Sequence, residues 1–156
     1  MSSELKTISI GMLGCGVVGS QVARLLQSDQ EELSKRSGAE LVLKKIGVRT
    51  AGAREGISAA LLTTDLFSVV NDPEINIVIE VLGGIEPARE LILAAIANKK
   101  SVITANKALL ATHGHELFNA ADAAGVDLYY EAAVAGAIPI IRSMRESLAG
   151  DQITRV

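Results

Sequence analysis

Tryptophan is absent, cysteine occurs once, proline occurs three times, and aromatic residues make up 3% of the chain. A single cysteine excludes an internal disulfide framework, and no CxxC or Cys/His spacing supports a zinc site. With so few aromatics, the core has to be built from Ala, Val, Ile and Leu. No apolar run approaches the ~20 residues of a membrane-crossing helix. The longest candidate, residues 132–141, is too short and contains Gly136 and Pro139. The start is polar and leads into a short apolar run that soon meets glycines, unlike a secretion signal. A cytoplasmic location is expected. A formal charge of −3 gives no basis for broad nucleic-acid or anionic-membrane binding. What remains is 156 residues, 49% hydrophobic and 21% charged. That is one domain's length, with enough apolar content for a core and too much for a disordered chain.

Strand-like and helix-like segments alternate. Residues 7–13 form a short apolar strand. Residues 17–27 follow as a helix, with Val18, Val22, Leu25 and Leu26 on one face. A polar stretch, 28–38, leads to a second strand over 40–48. Residues 49–56 read as a loop and 65–71 as a short helix with Asp65 near its cap. Residues 75–81 are mostly β-branched and apolar, as a strand buried on both faces would be. Gly83-Gly84 ends that run. Helical spacing over 86–98 rests on Ala88, Leu91, Ile92, Ala95 and Ile96. Residues 101–104 form the fourth strand, and 106–124 a helix interrupted near His113-Gly114. A strand at 126–130 and a helix at 138–148 follow. The last residues, 152–156, resemble a strand just begun, which suggests a fragment.

Alternation of this kind predicts an α/β fold: a doubly wound parallel sheet of the Rossmann type. Residues 1–156 are expected to be one nucleotide-binding domain.

Gly14-Cys15-Gly16-Val17-Val18-Gly19 fits G-x-G-x-x-G between a strand and a helix. The first glycine permits a tight turn, the second lets the backbone approach a pyrophosphate, and the third lets helix and strand pack closely. The helix's unpaired N–H groups then face the phosphates. An NAD site usually places Asp or Glu at the tip of the second strand; here the tip is Arg49, with Arg54 in the following loop. A guanidinium suits a 2′-phosphate, so NADP(H) is favoured, with NAD as the other candidate. The plainer reading is two solvated loop arginines. Cys15 is expected to be a small buried filler.

Thr104-Ala105-Asn106-Lys107 falls at the carboxyl edge of the sheet, the ligand side of such folds. A lysine there can supply charge or a proton to a substrate oxygen, although a surface lysine in a helix's first turn is the simpler alternative. Glu131 ends an apolar strand and needs a partner: a cation with backbone carbonyls, a helix N-terminus or an arginine. His113 and His115 read as surface residues.

Four runs in order carry a family resemblance: Gly14 to Gly19, Val48-Arg49, Val102-Ile103-Thr104-Ala105-Asn106-Lys107-Ala108-Leu109, and the run from Glu131 to Ile141. The chain resembles the N-terminal, nucleotide-binding portion of homoserine dehydrogenase. That family reduces aspartate 4-semialdehyde to homoserine with NAD(P)H, toward threonine, methionine and isoleucine. The resemblance implies Lys107 as the catalytic lysine near nicotinamide and substrate, and Arg49 at the adenosine phosphate. The implied cofactor-binding set is Gly14, Gly16, Val17, Val18, Gly19, Arg49, Gly83, Thr104 and Lys107. It also implies a sodium ion held by Glu131 with the carbonyls of Val134, Gly136 and Ile138. Ala135 and Ala137 depart from the family, many of whose members have glycine there. The family's substrate and dimerisation domain, with a second lysine and acidic substrate contacts, would follow residue 156. A small-molecule substrate and a homodimer or larger assembly are implied for the whole protein. Two other readings stay open: a dehydrogenase of another small aldehyde or alcohol, and a nucleotide-sensing module without chemistry.

Overall fold

The computed structural model describes residues 5–150. The chain runs β1 (Lys6–Leu13), α1 (Val17–Ser28), α2 (Gln30–Ser37), β2 (Ala39–Gly47), β3 (Leu62–Thr63), α3 (Phe67–Val70), β4 (Ile77–Glu80), α4 (Ala88–Ala97), β5 (Ser101–Thr104), α5 (Lys107–Ala124), β6 (Leu128–Tyr129) and α6 (Ile140–Arg142). The sheet order is β3-β2-β1-β4-β5-β6, and every strand pair in it is parallel. This is the doubly wound α/β sheet that the alternation predicts. The chain winds outward from β1 in one direction, returns, and continues in the other.

Period-two alternation divides the strand side chains between two faces. Ile10 and Met12 of β1 pack with Ala23 and Leu26 of α1 and with Leu43 and Ile46 of β2. Leu13 packs on the other face with Val78 and Val102, beneath Leu91 and Ile92 of α4 and Leu109 and Leu117 of α5. Such fully buried aliphatic side chains contribute about 1.5–3 kcal/mol each. Between β1 and β2 the register slips by one residue: Ile10 pairs with Leu43, but Gly11 pairs with Lys45, leaving Lys44 extra. At the amino edge of the sheet, the buried Lys100 ammonium donates to the carbonyls of Asp72 and Ile75. That burial holds its pKa below the ordinary lysine value.

Several expectations are corrected. The polar stretch 28–38 contains α2, whose surface carries the i,i+4 pairs Glu31–Lys35 and Glu32–Arg36 and which ends on Gly38 in the left-handed region. Strand β3 is only two residues long and gave no period. Helix α5 is unbroken: Gly114 is buried within it, against Phe118. His113 faces Glu116, and His115 meets Asn119, both on the helix's own surface. The region expected as a helix over 138–148 is the short α6 followed by a π-helical turn, Ser143–Ser147. The expected strand at 152–156 lies outside the described residues.

The packed face of α1 is also different. Val18 and Leu25 are exposed, and the residues buried against the sheet are Gly19, Ala23 and Leu26. Small residues win because α1 crosses close to the β1 turn. A Cβ at Gly19 would meet the Gly14 carbonyl oxygen well inside contact distance. Gly19→Ala is therefore expected to push α1 off the sheet and destabilise the fold by roughly 1–3 kcal/mol, read as a lower urea midpoint. A midpoint equal to wild type would mean that α1 does not depend on this contact.

Candidate functional site

The carboxyl edge of the sheet is shaped first by the end of β1. Gly14 sits at φ +106°, a conformation that side chains other than glycine's rarely adopt, and a Cβ there would lie 2.7 Å from the Val81 carbonyl oxygen. Its N–H donates to the Gly47 carbonyl at 2.8 Å, while the Val81 N–H donates to the Leu13 carbonyl at 2.8 Å. The turn is thus tied to β2 on one side and to the end of β4 on the other. Gly16 follows as the N-cap of α1, and a Cβ built on it meets nothing within 4 Å. The open space above Gly16 is where the glycine pattern places a pyrophosphate. The first turn of α1 holds no acidic residue and no side-chain cap, so its N–H groups stay available to an anion.

Two adjoining clefts share Val81. One, of about 230 Å³, lies between the glycine turn and the tip of β2, with Gly14, Gly16, Arg49 and Arg54 in its wall. Arg49 is exposed, and among the described residues nothing hydrogen-bonds its guanidinium. Arg54 reaches back across the cleft: Nε donates to the Cys15 carbonyl at 3.2 Å, Nη1 to Gly52 at 3.2 Å and Nη2 to Thr50 at 3.3 Å. Its charge is held in place by carbonyl groups alone. The second cleft, of about 280 Å³, is bounded by Val18, Gly83, Gly84, Asn106 and Lys107. Lys107 is the first residue of α5 and is exposed, and that first turn also lacks an acidic residue.

The structure brings Gly14, Gly16, Val18, Arg49, Gly83 and Lys107 to these two clefts. Val17, the first residue of α1, is 87% exposed and lines neither cleft. Thr104 does not reach either cleft; its side chain is fully buried and donates to Glu80 Oε2 at 2.7 Å. Its place is beneath the site rather than in it. Glu80 and Asn106 were not singled out as site residues by sequence reasoning. Their signal was slight: one carboxylate in an otherwise β-branched run, and an Asn directly before a helix, where its side chain accepts the Leu109 N–H at 3.1 Å.

Glu131 lies elsewhere, past β6. Its Oε1 accepts the Ile141 N–H at 2.9 Å and its Oε2 the Arg142 N–H at 2.8 Å. Of the three partners left open, the structure displays the helix N-terminus. Ala135 and Gly136 are consecutive left-handed residues, at φ +55° and +61°. Ala135 therefore occupies a conformation that costs about 1 kcal/mol more than it would for glycine. A cavity of about 620 Å³ opens between Glu131, Tyr129, Arg142 and Arg145. Among the described residues no group of three or more His, Cys, Asp or Glu side chains could hold a metal, and no helix is long and apolar enough to cross a membrane.

Comparison with known proteins bears on the same edge. The family model described as "Homoserine dehydrogenase, NAD binding domain" matches residues 14–131. The homoserine dehydrogenase of Mycobacterium tuberculosis is 50% identical over all 156 residues, which cover 35% of that protein. That of Corynebacterium glutamicum is 51% identical over 150 residues, 96% of this chain and 34% of its own. A crystal structure of a homoserine dehydrogenase from Thiobacillus denitrificans superposes with a TM-score of 0.87 at 49% identity, covering 94% of this chain and 34% of that one. A hyperthermophilic archaeal homoserine dehydrogenase in complex with NADPH superposes at 0.76 with 26% identity, over 92% of this chain and 50% of the other. The chain spans about a third of the length of the curated relatives it matches. With the glycine turn and the paired clefts on one sheet edge and the family model spanning residues 14–131, the chain belongs to the homoserine dehydrogenase family, within its NAD-binding domain.

Proposed function

We propose that residues 1–156 are the cofactor-binding domain of a cytoplasmic, NADP(H)-dependent oxidoreductase that reduces aspartate 4-semialdehyde to homoserine, toward threonine, methionine and isoleucine. The observation that carries this reading is the pair of clefts sharing Val81, with arginines at one end and a lysine at the other. Reduced nicotinamide supplies the hydride when bound. The chain's own residues do the rest. Backbone N–H groups at the start of α1 hold the pyrophosphate above Gly16. Arg49 and Arg54 meet the 2′-phosphate of the adenosine end. Lys107, at the far cleft, faces the carbonyl oxygen as it gains negative charge and holds a proton for it. The substrate domain and the dimer surface belong, in this reading, to sequence beyond residue 156.

Sodium binding belongs to the same proposal. Each oxygen of Glu131 accepts one N–H, and a carboxylate has further lone pairs for a cation beside the carbonyls of Val134, Gly136 and Ile138. The ion would anchor that segment.

Gly16→Val is expected to leave the melting temperature near wild type and to abolish NADPH binding in calorimetry, because the added side chain fills only the ligand's space. A mutant that still binds would remove the glycine turn from the site.

Arg49→Asp is expected to weaken NADPH by roughly ten- to a hundredfold, the scale of a lost charge-assisted contact, and to change NADH far less. Equal losses for both cofactors would mean that Arg49 does not read the phosphate.

In the complete enzyme, Lys107→Ala is expected to lower kcat by ~10²–10³ with the protein folded, and Lys107→Arg to restore only part of it. A near-wild-type kcat in the alanine variant would move the catalytic assignment to residues after 156.

A further inference from the structure

The nucleotide reading uses the cations at the sheet edge but not the carboxylate buried beneath them. Glu80, the last residue of β4, is 0% exposed. None of the ion pairs among the described residues includes it. An apolar residue would be the simpler choice for packing there, as at Val78 and Val102, because a buried carboxylate is costly unless every oxygen is hydrogen-bonded.

Each oxygen is in fact used, and for a different segment. Oε1 accepts the Leu82 N–H at 2.8 Å, and Oε2 accepts the Thr104 hydroxyl at 2.7 Å. The hydroxyl has a single proton, which it gives to Glu80. Its lone pairs then accept the Asn106 N–H at 3.0 Å. The Asn106 amide group donates to the Gly84 carbonyl at 2.6 Å, while its oxygen caps α5. Three donors thus lead to Glu80: the Leu82 N–H and the Thr104 hydroxyl directly, and the Asn106 N–H through that hydroxyl. The relay joins the 82–84 turn, whose Gly83 and Gly84 are both left-handed, to the start of α5 at Lys107.

We propose that Glu80 is a positioning residue: through Leu82, Thr104 and Asn106 it sets the Gly83-Gly84 turn against the start of α5, so that the Lys107 cleft is formed before the nicotinamide end of the cofactor arrives. This rests on the nucleotide reading of the two clefts. Pre-formed walls spare the ligand the ordering of a loop, so losing them weakens binding at that end only. Glutamine at position 80 keeps the shape but presents one donor, either to the Leu82 N–H or to a hydroxyl that must then turn. Either choice breaks the relay.

The test is titration of the 156-residue chain with two ligands, NADPH and adenosine 2′,5′-bisphosphate. The second occupies the arginine cleft alone. Glu80→Gln and Thr104→Val are expected to lose roughly tenfold or more in NADPH affinity, with the bisphosphate changed by less than about twofold. Thr104→Ser, which keeps the hydroxyl, is expected to recover NADPH affinity. A merely structural role would weaken both ligands alike, and that result overturns the proposal, as does unchanged NADPH affinity in the folded variants. If Glu80→Gln does not fold, the Thr104→Val and Thr104→Ser pair decides. Wild-type chain that binds neither ligand would overturn the nucleotide reading itself, a result distinct from the others.

Discussion

The last hydrogen bonds of β1 hold the site open. At its carboxyl end the strand serves two neighbours: the Leu13 carbonyl receives the Val81 N–H, and the Gly14 N–H reaches the Gly47 carbonyl. Because β1 is the strand from which the chain winds outward in both directions, the connections after β1 and after β4 leave on opposite faces. No crossing loop covers the space between them, which is the general reason ligands bind at this point in doubly wound sheets. Gly14 and Gly19 are required by this geometry. Gly16 is not required by the protein's own packing, and its lack of neighbours within 4 Å is as informative as the crowding around the other two.

Charge at this edge departs from the whole-chain value. The chain is acidic overall, yet Arg49, Arg54 and Lys107 surround the two clefts and neither α1 nor α5 begins with an acid. Arg54 is braced by three carbonyl oxygens, so its charge is not neutralised by a carboxylate there. Net charge excludes a broad anionic partner. It does not report a local field of this kind, which depends on placement.

Some of this was legible in the sequence and some was not, for physical reasons. β5 and the glycine turn were readable because β-branched runs ending in Gly or a cap have few alternatives. The buried stripe of α1 was legible only in part: Leu26 and Val22 pack against the core, but Val18 and Leu25 do not, and the close approach to the sheet is made by Gly19 and Ala23. α2 was missed because its regularity is in charge pairs rather than apolar spacing. The break expected near His113-Gly114 is not there, because Gly114 is buried inside an intact helix. Glu80 was hidden by its strand: what matters about it is which two segments its oxygens reach, and no spacing rule reports that. The position of Arg49 and Lys107 at the sheet edge was legible from strand order, and both line the clefts there.

The extra residue in β2 has an effect on orientation that reaches the strand's tip. Leu41 and Leu43 face α1, and continued alternation would turn positions 45, 47 and 49 to that same side. Lys44 interrupts the count, so Ile46 and Val48 take the inward places. Lys45 turns instead to the opposite face, toward Asp72, where the pair holds the Asp72 carboxyl below its ordinary pKa. The same change of phase means that Arg49 does not inherit a buried position under α1. A one-residue irregularity, with Lys44 five positions before Arg49, thus decides whether that exposed guanidinium faces the protein interior or the open cleft. Deleting Lys44 would make the pairing regular while keeping Ile46 and Val48 inward and Arg49 outward.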